Sequence, residues 1–141
     1  MGFLSWLLMS TGRQANKASS RGSLSSIEVH MGKLMASADP HAFLIVTVAG
    51  TPDFIQFSGD SAGVQMDLPL ITERQRGLGT AFRAACDKAG LSISRTAGSN
   101  GAQFLDVNIS GSSREISQKV ARILGQVFGL DERSALEFQT Q

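Results

Sequence analysis

The chain has one cysteine, Cys86, among 141 residues. That excludes an internal disulfide framework and any metal site built on a cluster of thiolates. Histidine is scarce too. His30 and His41 are the only two, and two ligands make no closed metal site. Charge of one sign is missing: 13 Lys and Arg stand against 12 Asp and Glu, a net of +1. A globally basic nucleic-acid binder and a strongly acidic protein are both disfavoured. No apolar run reaches the roughly 20 residues that a membrane-spanning helix needs. What is present is 42% hydrophobic residues in 15.0 kDa, enough for the core of one ordinary domain and too many for a disordered chain.

The near-neutral total hides an asymmetry. Residues 1–26 carry Arg13, Lys17 and Arg21 and no acid, while the remainder carries ten bases and twelve acids. The basic end opens on Phe3, Leu4, Trp6, Leu7, Leu8 and Met9, broken only by Ser5. A secretory signal places its bases before the apolar stretch, and here they follow it. Myristoylation at Gly2 wants Ser or Thr at position 6, which is Trp6. Two readings stay open. Phe3, Leu4, Trp6 and Leu7 could contact a membrane surface, with Arg13 and Lys17 facing anionic lipid. Alternatively the segment packs on the domain or on a second subunit, or stays unstructured. Residues 10–26, rich in Ser, Gly, Gln and Asn, read as a flexible linker. The expected division is therefore an N-terminal segment over 1–25 and one domain over 26–141.

From Ser26 onward the pattern is regular. Ile27, Met31, Leu34 and Met35 form one helical stripe with Ser26 as N-cap, ended by Asp39-Pro40. Gly32 inside it costs about 1 kcal/mol against Ala, so either a neighbour packs closely there or the helix depends on tertiary contact. Residues 43–49 are continuously apolar and β-branched, which predicts a strand covered on both faces. Strands over 54–58 and 64–70 follow after short turns, an antiparallel meander. Thr72-Glu73-Arg74-Gln75 is a capping box before a helix carrying Leu78, Phe82, Ala85, Cys86 and Ala89, with Gly90 beyond its end. Residues 91–94 read as a short strand, 97–101 as a hairpin loop, and Leu105, Val107 and Ile109, alternating with Asp106 and Asn108, as a fifth strand. Ser112-Ser113-Arg114-Glu115 caps a second long helix with the stripe Ile116, Val120, Ile123, Leu124, Val127 and Phe128, closed by Gly129. Residues 131–138 read as a further helical turn. The order is α-β-β-β-α-β-β-α: an α+β fold whose five-stranded antiparallel sheet has helices covering one face.

No constellation carries a reaction. Cys86 sits on an apolar helical stripe near that helix's C-terminus, and both placements disfavour a thiolate. No Gly-x-Ser-x-Gly occurs. Asp131 and Glu132 follow a helix, as solvated carboxylates do. Gly98-Ser99-Asn100-Gly101 lies between strands and Gly77-Leu78-Gly79 inside a helix, so neither opens onto a helix start as a phosphate loop must. An α-β-β-β-α run suggests a double-stranded-RNA module, but only Arg74, Arg76 and Arg83 are available, with Glu73 and Asp87 among them. No catalytic residue, metal or cofactor and no nucleic-acid partner is expected.

The element order, with three stretches, resembles the type III secretion chaperone-like fold, especially the YbjN / TY-Chap group of peptide-binding, chaperone-like domains. Residues 43–57, FLIVTVAGTPDFIQF, are similar to that family's paired early strands. Residues 91–109 are similar to its later hairpin, and residues 116–130, ISQKVARILGQVFGL, to its closing helix. The resemblance covers about residues 27–138. It implies a non-enzymatic bacterial domain, cytoplasmic, that binds an extended segment of a partner protein along its sheet and helices, and that pairs as a homodimer in many members. Strand addition at an open edge would supply the affinity. The candidate contacts are Phe54 and Gln56 on the second strand and Val64, Met66 and Leu68 on the third. The competing expectations are a membrane-peripheral structural or regulatory protein held by its N-terminus, and an immunity-type protein that binds one toxin.

Overall fold

The structure, a computed structural model, describes residues 18–98 and 100–140. Strand β1, Ala18–Gly22, leads through a 3-10 turn, Leu24–Ser26, into helix α1, Ile27–Ala36. The meander follows as β2, Leu44–Val48, β3, Phe54–Asp60, and β4, Gly63–Pro69. Helix α2 is Glu73–Lys88. The hairpin is β5, Ile93–Ala97, and β6, Gln103–Ser110. Helix α3, Ser113–Phe128, and strand β7, Leu136–Thr140, are the last of the described elements. The described strands make one antiparallel sheet in the order β1-β7-β2-β3-β4-β6-β5.

The sheet therefore has seven strands rather than five, and both additions fall where composition pointed elsewhere. Ala18–Gly22 lies in the stretch with linker composition, yet it pairs along its length with β7. Its Ala, Ser and Gly carry almost no intrinsic strand preference. The ladder comes from its neighbour, so the sheet starts ahead of residue 26. Residues 131–138 are not a helical turn throughout. Asp131 closes a tight turn by accepting from the Arg133 amide at 2.8 Å, and then Leu136 and Phe138 alternate with Glu137 and Gln139 as a strand. That strand inserts between β1 and β2, which no short connection announces.

Local signals position the helices. Thr72 Oγ1 accepts from the Gln75 amide and Gln75 Oε1 from the Thr72 amide, the reciprocal pair that fixes the start of α2. Ser112 and Glu115 do the same for α3. Gly129 follows α3 at φ +66°, a left-handed conformation that costs a Cβ-bearing residue about 1 kcal/mol or more. Ser26 makes no capping bond at α1. The box sits one turn earlier, on Ser23, whose amide donates to Ser26 Oγ.

The three described helices pack on one side of the sheet. Met31 and Leu34 of α1, Phe82 and Cys86 of α2, and Ile116, Val120, Ile123 and Leu124 of α3 bury with every second strand residue. Those strand residues are Leu44, Val46, Ile55, Phe57, Val64, Met66, Leu68, Leu105, Val107, Ile109, Leu136 and Phe138. Helix α3 lies in the middle and touches both α1 and α2, which is why it carries the widest apolar stripe. A Cβ on Gly32 in α1 would meet Ser113 Oγ at 3.9 Å, an ordinary contact distance, so the approach of α3 does not require a glycine there.

Candidate binding face

Alternation sends the other half of the strand residues to the opposite, second face of the sheet. Register builds one row across it: Ile45 opposite Gln56, Gln56 opposite Asp67, Asp67 opposite Asp106, and Asp106 opposite Ser94. Beside that row Phe54 lies opposite Thr47, and Phe104 lies between Pro69 and Thr96. Phe43, Ile45 and Phe54 form an apolar cluster separate from the main core. No described helix belongs to this face. Even so, Phe43 is 1% exposed, Gln56 1%, Asp67 and Phe104 0%, and Asp106 6%.

Asp67 and Asp106 are the chemical centre of the face. Gln65 Nε2 donates to Asp67 Oδ1 at 2.8 Å. Asp67 Oδ2, both Asp106 carboxylate oxygens, Gln56 Oε1 and Thr96 Oγ1 are buried without a hydrogen-bond partner. Burial pushes the Asp67 carboxyl up to about 8, and the adjacent Asp106 raises it further, against the Gln65 amide that lowers it. Like charges this close do not both ionise readily, so the pair holds a proton on Asp67 at neutral pH. That proton makes Asp67 a donor toward Asp106, and the acceptor capacity left over belongs to Asp106 and Gln56, with the Thr96 hydroxyl beside them. An occupant of this face satisfies them by bringing N–H donors on an apolar body.

The five residues first nominated for partner contact divide between the two faces. Phe54 and Gln56 lie on the second face. Val64, Met66 and Leu68 point into the core beneath the helices. Moreover, β3 and β4 are bonded on both sides, so neither offers an edge. Among the described strands the outer edges belong to β1 and β5. Asp67, Asp106, Phe104, Phe43 and Ile45 were not nominated. Asp67 and Asp106 occupy the polar phase of alternating strands, which reads as solvent-facing until register sets one against the other. The N-terminal candidates Phe3, Leu4, Trp6, Leu7, Arg13 and Lys17 lie outside the described residues.

The other chemistry-bearing side chains have structural partners. Arg74 grips Asp53 with both nitrogens, Nε to Oδ1 at 2.6 Å and Nη2 to Oδ2 at 2.7 Å. Asp53 is buried in the β2–β3 turn, so this fork ties that turn to the start of α2. Arg74→Ala leaves the Asp53 carboxylate without its donor and is expected to lower the melting temperature by several degrees. Arg74→Lys is expected to recover only part of the loss, because an ammonium cannot make the two parallel bonds. Thermal denaturation of the three proteins checks this, and equal melting curves would assign the fork no structural role. Arg76 Nη1 donates to the Ile71 carbonyl at 2.7 Å. His30 stacks on Phe138 with ring centroids 4.2 Å apart, and its Nε2 lies 3.4 Å from Ser20 Oγ, fastening β1 to α1. Cys86 is buried and its thiol pushed up to about 11 by desolvation, which removes the nucleophilic thiolate. Among the described residues no three His, Cys, Asp or Glu side chains converge as metal ligands, and no helix is long and apolar enough to cross a membrane.

Fold and face together define an α+β domain with one antiparallel sheet, helices on one side, and a buried acid pair amid aromatic side chains on the other. Compared with known proteins, the chain matches no family model, no curated protein and no solved structure.

Proposed function

We propose that this is a non-enzymatic, chaperone-like domain that binds an apolar segment of a partner protein on the second face of its sheet. The supporting observation is the surplus of buried acceptors on Asp106 and Gln56 beside the protonated Asp67, on the face that also carries Phe43, Ile45, Phe54 and Phe104. A buried acceptor without a donor costs about 1–3 kcal/mol, and a ligand that supplies the donor recovers it. Those four apolar side chains supply area, and the acceptors select what enters. The favoured segment carries Leu, Phe or Trp for that area and an indole, guanidinium or ammonium N–H for the acids. An acidic segment is rejected, since its carboxylates would face Asp106 with no compensating cation. The resemblance of residues 43–57, 91–109 and 116–130 to peptide-binding, chaperone-like domains points the same way.

An array of immobilised peptides of unrelated sequence, probed with the full chain, tests this reading. Retained peptides are expected to be rich in Leu, Phe and Trp with Lys or Arg, and poor in Asp and Glu. Phe54 is only partly buried, so Phe54→Ser leaves a foldable domain. That variant is expected to weaken binding at least about tenfold, the loss of one large apolar contact. An unselective pattern, or one that Phe54→Ser leaves untouched, overturns the assignment of the face.

A further inference from the structure

We propose that the cleft between α2 and α3, on the helix side of the sheet, is a second docking site, and that its occupant is an acidic, amphipathic helical segment of a partner protein. This site stands apart from the peptide-binding face above. It uses the other side of the sheet and the opposite charge.

The first observation is where the charge goes. Within residues 27–141, α2 and α3 hold seven of the ten bases and three of the twelve acids. The rest of that span holds three bases and nine acids. The two helices pack side by side, so a nearly neutral chain folds into a domain with one cationic flank.

The second is the cleft itself, of about 380 Å³. Ala85, Lys88 and Ala89 recur at helical spacing and share one side of α2. Lys119, Arg122 and Gln126 share one side of α3 in the same way. The two rows line the cleft together with Ile123. From Lys119 to Gln126 is about 10 Å, or two helical turns.

The third is that the cations are unspent. Among the described residues the ion pair present is Arg74 with Asp53, so Lys88, Lys119 and Arg122 pair with no acid there. The acids of the two helices are engaged or placed elsewhere. Glu73 opens α2, about three turns before the cleft. Asp87 lines a different groove, between α2 and β5, with Arg83. Glu115, one turn before Lys119, accepts from the Ser112 amide at 3.0 Å in the cap of α3. The carbonyls at the end of α2 are taken too, since the Ala89, Gly90 and Leu91 amides donate to Ala85, Asp87 and Cys86. No acid lines the cleft.

The lining then decides between anions. Ala85, Ala89 and Ile123 are apolar, and the aliphatic stems of the three cations add to that surface. Phosphates of a nucleic-acid duplex or of a bilayer would meet the cations and bring nothing apolar to the floor. A helix laid along the groove between two others sets a ridge of side chains into it. Leucines on that ridge would cover the floor. Asp or Glu on its two flanks would reach Lys88 on one wall and Lys119 and Arg122 on the other.

The probe is a fluorescein-labelled peptide of about four helical turns, with Leu at every third or fourth position and Glu on both flanks. A shuffled peptide keeps the composition and scatters the leucines. Fluorescence anisotropy with the full chain, at about 0.15 M salt, is expected to show saturable binding of the ordered peptide, at least about tenfold tighter than the shuffled one. Lys119→Glu/Arg122→Glu is expected to weaken that binding at least about tenfold, and Lys88→Glu at least about threefold. Lys88 and Arg122 are exposed and Lys119 half-buried, and far-UV spectra check that each variant folds. Either wall carries the test if the other variant fails to fold. Arg83→Glu/Arg95→Glu makes the same change in net charge on exposed residues outside the cleft and is expected to stay within about twofold. Phe54→Ser, on the second face, is expected to leave this binding unchanged.

Five results overturn the proposal. These are no saturable binding, equal binding of the ordered and shuffled peptides, an equal loss from Arg83→Glu/Arg95→Glu, and a loss in Phe54→Ser. The fifth is a duplex RNA, or a vesicle containing anionic lipid, that binds more tightly than the ordered peptide and is released by Lys119→Glu/Arg122→Glu. The two binding readings fail separately. An unselective peptide array removes the second face and leaves the cleft standing. An ordered acidic peptide that does not bind removes the cleft and leaves the second face standing.

Discussion

Met66→Asp is expected to leave the protein unfolded at 25 °C, not to produce a folded protein that has lost its partner. Met66 is fully buried on β4, opposite Phe57 on one side and Val107 on the other, beneath the helices. A carboxylate there meets no cation and no N–H donor. An uncompensated buried charge costs several kcal/mol, and the lost methionine packing adds roughly 2–5 kcal/mol. Together these rival the whole stability of a domain this size, about 5–15 kcal/mol. Far-UV circular dichroism and limited proteolysis read the outcome. A folded Met66→Asp with altered binding would mean that the helix side of β4 faces outward, and the division of the sheet into two faces would then be wrong.

Asp67→Asn is expected to do the opposite and stabilise the protein, by an amount that grows with pH. The Asp67 carboxyl titrates at about 8 when folded against 3.8 when free. The folded state therefore holds a proton that the unfolded chain gives up first. The contribution of this group is fully present below about pH 4 and is lost as pH rises from there to about 8. Each tenfold in proton affinity is about 1.4 kcal/mol, so several kcal/mol are at stake across that window. Asparagine stays neutral throughout and keeps one N–H₂ to offer Asp106. Among the described residues the groups facing position 67 are Asp106 on β6, Gln56 on β3 and Gln65 on its own strand, with no cation among them. Melting temperatures of the two proteins are expected to lie closest at about pH 4 and to separate steadily up to about pH 8, with Asp67→Asn the higher. Parallel curves would show that Asp67 does not hold the proton.

Much of the framework is legible in one dimension because it depends on neighbours within a few residues. The capping boxes at Thr72 and Ser112 each close over four residues, and both form as their spacing requires. The stripe from Ile116 to Val127 repeats at helical spacing, so its burial follows from the helix alone. The continuous apolar run at 43–46 is buried on both sides of the sheet, as a strand without a polar phase must be. The misreadings have an equally local cause. Ala18–Gly22 has no strand preference of its own, and β7 is only five residues long behind a turn that mimics a helix start.

The candidate face was far less legible. Asp67 and Asp106 are 39 positions apart, each in the polar phase of a half-buried strand, where an acid ordinarily faces water. Only the β4–β6 register sets them opposite one another. The same register turns Met66, first nominated for partner contact, into core.

The amino-acid sequence by itself determined the helices, the meander and the α+β class, since each follows from short-range spacing or from residue counts. Tertiary structure alone decided which strands lie at the edges, that seven of them join, and that two carboxyls share a dry site on the second face. The physical reason is that strand order and register are fixed by pairing between distant segments. A side chain's dielectric surroundings, and with them its charge, exist only once that pairing is made.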